Sequence, residues 1–299
     1  MSKSDIFPKT LVLGGTGFIG SELKNIYKDL GESFMFSSSQ EIDILDETSF
    51  RNFIKGNNIQ VVVNLAAYTN VNDANTQQGD KNGLAWKLNV GGVMNVAKVC
   101  NEEEIFLIHI STDNVFYGGD GPFSEDDERF NDGQVDWYGY TKRMGEEEVE
   151  KVGGKFSIVR IAYPFGSINP DKDYILKLIK NVNLDRPIFA DQNFTPTYIP
   201  TLSKALRKVI TDKISGKFHV VCSEVTTPYK IAKFLAERLN LSPEVKKGSI
   251  LEYEKTIGKK APYNPSGGLN TEVTQKTLDL EFPSWEEAVG EFIDKIPQE

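Results

Sequence analysis

The sequence predicts an α/β protein built on a doubly wound parallel sheet with helices on both faces, followed by a smaller C-terminal α/β lobe. Three observations predict it. Through the first 161 residues, short continuous apolar runs alternate with longer amphipathic stretches. Apolar strands of this kind belong to parallel sheets covered on both sides. A glycine-rich turn, Gly14-Gly15-Thr16-Gly17-Phe18-Ile19-Gly20, joins the first apolar run to the first amphipathic stretch. After about Ile161 the alternation loosens, and Pro164, Gly166, Pro170, Pro187, Pro196 and Pro200 break the chain into shorter pieces.

The elements follow in order. Thr10–Gly14 reads as the first strand. Ser21–Leu30 reads as a helix with Leu23, Ile26, Tyr27 and Leu30 on one face. Ser33–Phe36 is a short second strand, Glu47–Lys55 a helix and Gln60–Ala66 a third strand. Asn82–Cys100 is a long helix and Ile105–Ile110 a fourth strand. Tyr138–Val152 is a helix and Phe156–Ile161 a fifth strand. Asp113 to Asp136 is a long polar segment, and segments of that length in compact domains are usually functional or mobile. Later helices are expected at Leu202–Asp212, Pro228–Leu239 and Ser284–Ile296. The expected division is a dinucleotide-binding domain over 1–161, to which segments within 190–222 return, and a substrate lobe over 162–299.

Composition narrows the function classes. The formal net charge is -9. That balance opposes non-specific binding to nucleic acid or an anionic membrane, each of which needs a basic face. Cys100 and Cys222 are the only cysteines and show no CxxC spacing, which fits a reducing compartment. With His109 and His219 the only histidines, a zinc site is not expected, and no metal is assigned. No run reaches the ~18 apolar residues of a membrane helix. The polar start leads straight into a strand, so no signal peptide is expected and the protein is read as cytoplasmic.

The glycine turn fits the pattern GxGxxG between a strand and a helix, the context that pattern requires. Glycine permits the tight turn and a close approach of backbone to a pyrophosphate, and the following helix points its N–H groups at the phosphates. A bare strand-to-helix turn is the plainer alternative, but the placement favours a Rossmann-type dinucleotide site formed by Gly14, Thr16, Gly17, Phe18, Ile19 and Gly20. At the end of the second strand stand Ser37-Ser38-Ser39-Gln40, with no acid to claim a ribose 2′-hydroxyl and hydroxyls that could donate to a 2′-phosphate. NADP is therefore expected ahead of NAD. Asp43 and Ile44 suit the adenine rim.

Tyr138 and Lys142 stand one helical turn apart on one face. A free tyrosine, with a pKa of ~10, transfers protons poorly at neutrality. A neighbouring ammonium lowers that pKa, and the same lysine can bond the nicotinamide ribose. Thr112, at the end of the fourth strand, can donate to a substrate carbonyl, and ligands in such sheets bind at the carboxyl ends of strands. The spacing is not unique: Tyr229 and Lys233 repeat it after Pro228, where it reads as a surface helix start. Trp86 reads as core packing. Trp137 reads equally as packing or as a wall of the site. The run Glu146-Glu147-Glu148 reads as a solvated helix face.

With these residues in hand, the chain resembles the extended short-chain dehydrogenase/reductases, and within them the dTDP-4-dehydrorhamnose reductase (RmlD-like) family. The resemblance runs through Gly14–Gly20, Asn64-Leu65-Ala66-Ala67-Tyr68-Thr69, Leu88-Asn89-Val90, Ser111-Thr112-Asp113-Asn114, Tyr138-Gly139-Tyr140-Thr141-Lys142, Asp191-Gln192 and Leu269-Asn270-Thr271-Glu272. It implies reduction of the 4-keto group of a nucleotide-diphosphate 4-keto-6-deoxy sugar by a nicotinamide cofactor. Tyr138 would be the proton donor, Lys142 its partner and Thr112 the carbonyl donor. Leu65, Ala66 and Ala67 would line the cofactor, and Asn89 would support a relay. Tyr68, Asp113, Asn114 and Tyr163 would face the sugar nucleotide, and a homodimer is compatible with the family. Four positions depart from its usual pattern, all in substrate-facing regions: Asn114, Tyr163, Phe194 and the stretch Ala261-Pro262-Tyr263-Asn264.

Two relatives of different chemistry share parts of this set. A 4,6-dehydratase needs an Asp-Glu pair after the threonine, and an amide at 114 cannot serve as its base. A 4-epimerase needs the same redox groups and stays open at this point. A non-catalytic NADP-binding regulatory subunit is the alternative outside enzymology, and the complete Thr112, Tyr138 and Lys142 set argues against it.

Overall fold

The computed structural model describes residues 7–116, 121–127, 136–242, 244–258, 261 and 266–296. The chain divides into two compact units. The first takes Met1–Val115, Asp132–Arg160 and Ser203–Phe218; the second takes Phe116–Asn131, Ile161–Leu202 and His219–Glu299. The return to the first unit is thus 203–218, narrower than 190–222, and Phe116–Asn131 groups with the second unit although the sequence places it in the first.

The first unit carries β1 (Thr10–Leu13), α1 (Phe18–Ile26), β2 (Phe34–Ser37), α2 (Glu47–Asn57), β3 (Val61–Asn64), the short α3 (Val71–Thr76) and α4 (Leu84–Trp86). It continues through α5 (Val93–Glu102), β4 (Phe106–Thr112), α6 (Trp137–Val152) and β5 (Phe156–Ile161). The second holds β6 (Ile188–Phe189), α7 (Tyr174–Asn183), α9 (Pro228–Leu239), β8 (Lys247–Gly248), α10 (Ile250–Ile257), α11 (Glu272–Leu278) and α12 (Trp285–Ile293). Helix α8 (Ile199–Asp212) and strand β7 (Gly216–His219) run across the division.

Six strands form one sheet in the order β2-β1-β3-β4-β5-β7, and β6 pairs with β8 in a separate two-stranded sheet. β1 pairs in parallel with β2 and with β3, and β3 with β4. Placing β1 between β2 and β3 reverses the strand order there, which opens a crevice at the carboxyl ends of the strands. All residues of β1, β3 and β4 are buried, as a sheet covered on both faces requires. Leu11, Leu13, Val62, Leu107 and Ile158 pack with Phe50, Ile54, Val93 and Val96 from α2 and α5. Each such side chain contributes ~1.5–3 kcal/mol on burial.

Several boundaries differ from the sequence expectation for identifiable reasons. Helix α1 starts at Phe18 and stops at Ile26, because Gly31 takes φ 58° and the chain turns through a 3₁₀ segment, Lys28–Ser33. The long helix expected over Asn82–Cys100 starts at Leu84 and contains a π-helical turn at Lys87–Gly92. Helix α7 was masked in the sequence by flanking prolines. Asp173 caps it, accepting from the N–H groups of Ile175 and Leu176 at 2.9 and 3.1 Å, so Pro170 and Pro187 lie outside its span. The short α3, α10 and α11 also escaped the periodicity reading.

The second unit has its own core of Phe165, Ile175, Leu178, Ile231, Leu235, Trp285 and Phe292. The long polar segment after Asp113 is partly tied into this unit. Phe123 stacks on Phe116 at 4.7 Å, and its N–H reaches the Gly268 carbonyl at 2.9 Å. The buried Glu125 accepts from the Thr274 hydroxyl at 2.6 Å. Among the described residues no helix is long and apolar enough to cross a membrane.

Candidate active site

The glycine turn lies between β1 and α1, and its glycines answer to different demands. Gly14 takes φ +75°, and a Cβ there would come within 2.9 Å of the Ala66 nitrogen. A Cβ on Gly15 would meet Phe36 at 2.7 Å, and one on Gly20 would meet the Gly14 carbonyl at 2.5 Å. Those three glycines are required by packing alone. Gly17 is different. It is exposed and its nearest conflict is the Gly14 carbonyl at 3.1 Å, and it caps α1 with no side chain on the free N–H groups. A bare turn explains Gly14, Gly15 and Gly20; an approaching phosphate explains Gly17 and the uncapped helix start. The residues present therefore fit a dinucleotide pyrophosphate. Thr16 is exposed, and Phe18 and Ile19 are half-buried. Leu65, Ala66 and Ala67 follow β3, where the Leu65 N–H reaches the Leu13 carbonyl at 3.1 Å and Asn64 Oδ1 accepts from Ala66 N–H at 3.1 Å.

The end of β2 corrects one premise. The Ser37 carbonyl accepts from Gly15 N–H at 2.7 Å, which ties this strand end to the glycine turn. Ser37 is buried and its hydroxyl faces the Val12 carbonyl at 3.4 Å. After Ser38 the chain reverses, with Ile42 N–H on the Ser38 carbonyl at 3.1 Å. That reversal returns Glu41, whose Oε2 accepts from Ser38 N–H at 2.7 Å and from Ser38 Oγ at 2.9 Å. An acid does stand at the end of β2, and it engages the hydroxyl that the sequence left for a phosphate. The bonds from Ser38 hold its carboxyl below the usual range. Asp43 is exposed and accepts from Leu45 N–H at 2.9 Å. Ile44 is buried and packs where a Cβ on Gly92 would lie, so it belongs to the core.

The proton-transfer residues meet at β4 and α6. Asp136 opens α6 by accepting from Gly139 N–H at 2.6 Å, and Tyr138 N–H donates to Asn75 Oδ1 at 3.3 Å. Tyr138 and Lys142 are both buried. Burial raises the phenol pKa first, then Asp113 and Asp136; a hydrogen bond with Thr112 opposes them. The Lys142 ammonium donates to the Ile110 carbonyl at 2.8 Å. Burial lowers Lys142 to about 8, against a raising pull from Glu146. Thr112 Oγ1 donates to Asp113 Oδ1 at 3.1 Å and accepts from Asn114 N–H at 3.3 Å. Desolvation lifts Asp113 to about 7, with the Thr112 bond opposing.

Supporting residues surround this group. Asn89, in the π-helical turn, accepts from Tyr68 N–H at 2.8 Å and donates to the Tyr68 carbonyl at 3.1 Å and to Thr141 Oγ1 at 3.0 Å. It is a strut between the stretch after β3 and α6. π-Helical turns concentrate at functional sites. A Cβ on Gly145 would fall 2.2 Å from the Asn89 carbonyl, so only glycine lets α6 sit so close. The Tyr68 hydroxyl donates to Asp73. Trp137 stacks on Trp86 at 5.8 Å and on Tyr140 at 5.3 Å, which favours packing for both tryptophans.

Tyr163 falls in the second unit. It takes φ 43°, a left-handed conformation unusual for an aromatic residue, and its hydroxyl accepts from Gln192 Nε2 at 2.6 Å. Tyr263, with Pro262 and Asn264, lies outside the described residues. Sequence reasoning missed Glu41, Asp136 and Glu146. The acidic run that reads as a solvated face includes Glu146, which is fully buried and pairs with the buried Arg160 at 2.7 and 3.0 Å. One signal existed: Glu146 is one turn after Lys142 on the same face. His109 lies on β4. It is buried beside Asn64, 3.4 Å away, and burial and Lys142 keep it neutral.

The chain is similar to known proteins of one family. The sequence model of the RmlD substrate binding domain matches residues 8–297. A dTDP-4-dehydrorhamnose reductase of Mycolicibacterium smegmatis is 31% identical over 249 residues, covering 81% of this chain and 73% of its own. A dTDP-4-keto-6-deoxy-D-glucose reductase of Streptomyces niveus is 28% identical, covering 78% and 79%. A Bacillus anthracis dTDP-4-dehydrorhamnose reductase solved with NADP shares the fold, with a TM-score of 0.84, 24% identity and coverage of 97% and 100%.

Proposed function

The chain belongs to the RmlD substrate binding domain family, and on that premise we propose that it reduces the 4-keto group of a nucleotide-diphosphate 4-keto-6-deoxy sugar with a nicotinamide cofactor, NADPH first. One observation carries the reading. The Tyr138 phenol is buried where the strand-end Thr112 lowers its pKa, and the lysine one turn later is held on the same strand at the Ile110 carbonyl, 2.8 Å away. The relatives named as dTDP-4-dehydrorhamnose reductase and dTDP-4-keto-6-deoxy-D-glucose reductase support the substrate class.

The chemistry follows from the protonation states. Burial, Asp113 and Asp136 keep the Tyr138 phenol protonated through neutrality, so the resting residue is an acid. Its O–H and the Thr112 hydroxyl are the two donors for the keto oxygen. NADPH held at the glycine turn would supply the hydride for C4. The oxygen becomes basic as its carbon is reduced, and Tyr138 gives up its proton. A positioned acid of this kind contributes ~10²–10⁴-fold. Lys142, at about 8, is still mostly an ammonium at neutrality and offsets the phenolate left behind. Thr112 turns its proton to the substrate most readily when Asp113 is protonated, since a carboxylate competes for it.

The second unit is the part proposed to hold the nucleotide sugar, with Tyr163 and Gln192 at hand. Cytoplasmic residence and a homodimer complete the reading. Two buried, unbridged cysteines support the first, and the exposed Leu84 and Met94 give a second copy something to cover. Fractionation and sedimentation check them.

The test uses NADPH carrying deuterium at its transferable position, with a panel of nucleotide-diphosphate 4-keto-6-deoxy sugars. The expected product is a sugar labelled at C4. Cofactor binding without label transfer to any member would refute the reductase and leave a non-catalytic binding protein.

A further inference from the structure

We infer that Glu41 sets the choice between the two nicotinamide cofactors: its carboxylate accepts a ribose 2′-hydroxyl and repels a 2′-phosphate. The inference rests on the reading that the glycine turn holds a nicotinamide dinucleotide, and it refines that reading at one atom of the cofactor.

Two observations and one rule of such sheets place Glu41. The Gly15 N–H on the Ser37 carbonyl, at 2.7 Å, fixes the end of β2 beside the glycine turn. In dinucleotide-binding sheets the adenosine ribose lies over this strand end, and an acid about 20 residues past the glycines distinguishes hydroxyl from phosphate. Glu41 lies four residues beyond the end of β2, but the turn after Ser38 brings its Oε2 to 2.7 Å from Ser38 N–H and 2.9 Å from Ser38 Oγ. One carboxylate oxygen is thereby fixed by two donors. A carboxylate has several acceptor positions, so a 2′-hydroxyl can still donate to it.

The same bonds remove what would favour a phosphate. The Ser38 N–H and hydroxyl are both directed at Glu41. The Ser37 hydroxyl is buried against the Val12 carbonyl. The charged neighbour is Lys24 on α1, an exposed lysine acting on Glu41 through space. An exposed lysine offsets a negative carboxylate only weakly across water. A dianionic 2′-phosphate beside Glu41 therefore meets repulsion, and an uncharged 2′-hydroxyl does not. Glu41 holds the preference for NADPH over NADH below what the serine hydroxyls alone would give, and NADH serves as a working cofactor.

The experiment is direct binding, by calorimetry or by quenching of protein fluorescence, of NADPH and NADH to the whole chain and to Glu41→Gln. Glutamine keeps an oxygen acceptor for Ser38, so the turn is retained and only the charge is lost. Expected is NADPH binding about tenfold tighter in Glu41→Gln, from one removed like-charge contact in water, with NADH unchanged or weaker. An NADPH-to-NADH ratio that moves less than twofold overturns the role of Glu41. Failure of the unaltered chain to bind either cofactor is a separate outcome and overturns the dinucleotide reading itself. Glu41→Ser supplies a second variant: it should tighten NADPH at least as much, and a loss of NADPH binding there would contradict the repulsion.

Discussion

Two helices of this protein carry the same tyrosine–lysine spacing in opposite surroundings. On α6, Tyr138 and Lys142 are 9% and 2% exposed, and the lysine ammonium is fixed on a strand carbonyl. On α9, Tyr229 is half-buried, and Lys233 has a side chain 54% exposed that reaches Glu237 at 3.9 Å. The α9 pair follows Pro228, which opens the helix behind a Thr227 cap. Spacing alone places a hydroxyl and an ammonium on one helix face; chemistry needs them desolvated and aimed. The α6 pair is buried and a strand-end threonine stands against it, whereas the α9 pair is half-buried and exposed.

The difference extends along each helix. Seven residues after its tyrosine, α6 has Gly145, pressed against the Asn89 carbonyl, and α9 has Ala236. Four residues after its lysine, α6 has Glu146, buried with Arg160. The matching residue on α9 is Glu237, 73% exposed. The comparison can be broken or sharpened at each of these levels.

Beyond the tyrosines themselves, the largest effect is expected at the lysines. Lys142→Met should lower kcat by ~10²–10³-fold, the cost of removing one preorganised charge from such a site. Lys233→Met should leave kcat unchanged, and steady-state rates with saturating substrate compare the two. Next come the glutamates. Glu146→Ala strands a buried guanidinium and should cost ~3–5 kcal/mol in denaturant unfolding. Glu237→Ala should stay within ~0.5 kcal/mol. Third, Gly145→Ala should destabilise by ~1–3 kcal/mol through overpacking, with a fall in kcat as α6 is pushed from Asn89. Ala236→Gly should cost ~1 kcal/mol through helix propensity alone, with kcat intact.

The remaining effect is read against pH. Asp113 rises from 3.8 to about 7 in the folded chain. Its folded pKa exceeds the unfolded one, so its contribution to stability is complete below about 3.8 and is lost as pH climbs through about 7. Asp113→Asn should therefore match the parent near the acidic end of that window and melt higher than it above the window. Melting temperatures across the window check the sign. A variant that gains stability only at low pH would contradict the environment assigned to Asp113.

Much of this molecule was legible in the sequence because it depends on local pattern. Apolar runs gave β1, β3, β4 and β5 to within two residues at most ends, and the glycine turn announced the first strand–helix junction. Thr112 was recognisable from its place at a strand end. The residues that escaped owe their roles to contacts that pattern does not encode. Glu41 follows the end of β2 by four residues and matters only because the chain folds back on Ser38. Glu146 sits in a run of three acids, and only the partner on β5, 14 residues away, distinguishes it from Glu147. Spacing pairs Lys142 with the phenol, but only the fold shows that one of its N–H groups is held by the Ile110 carbonyl.

The most direct measurement compares Tyr138→Phe with Tyr229→Phe in oxidation of NADPH by a nucleotide-diphosphate 4-keto-6-deoxy sugar. Both substitutions remove one hydroxyl and keep the ring. Tyr138→Phe is expected to lose ~10²–10⁴-fold in kcat with cofactor binding retained, and Tyr229→Phe to turn over like the parent. Equal rates in the two variants would contradict the assignment of proton transfer to Tyr138.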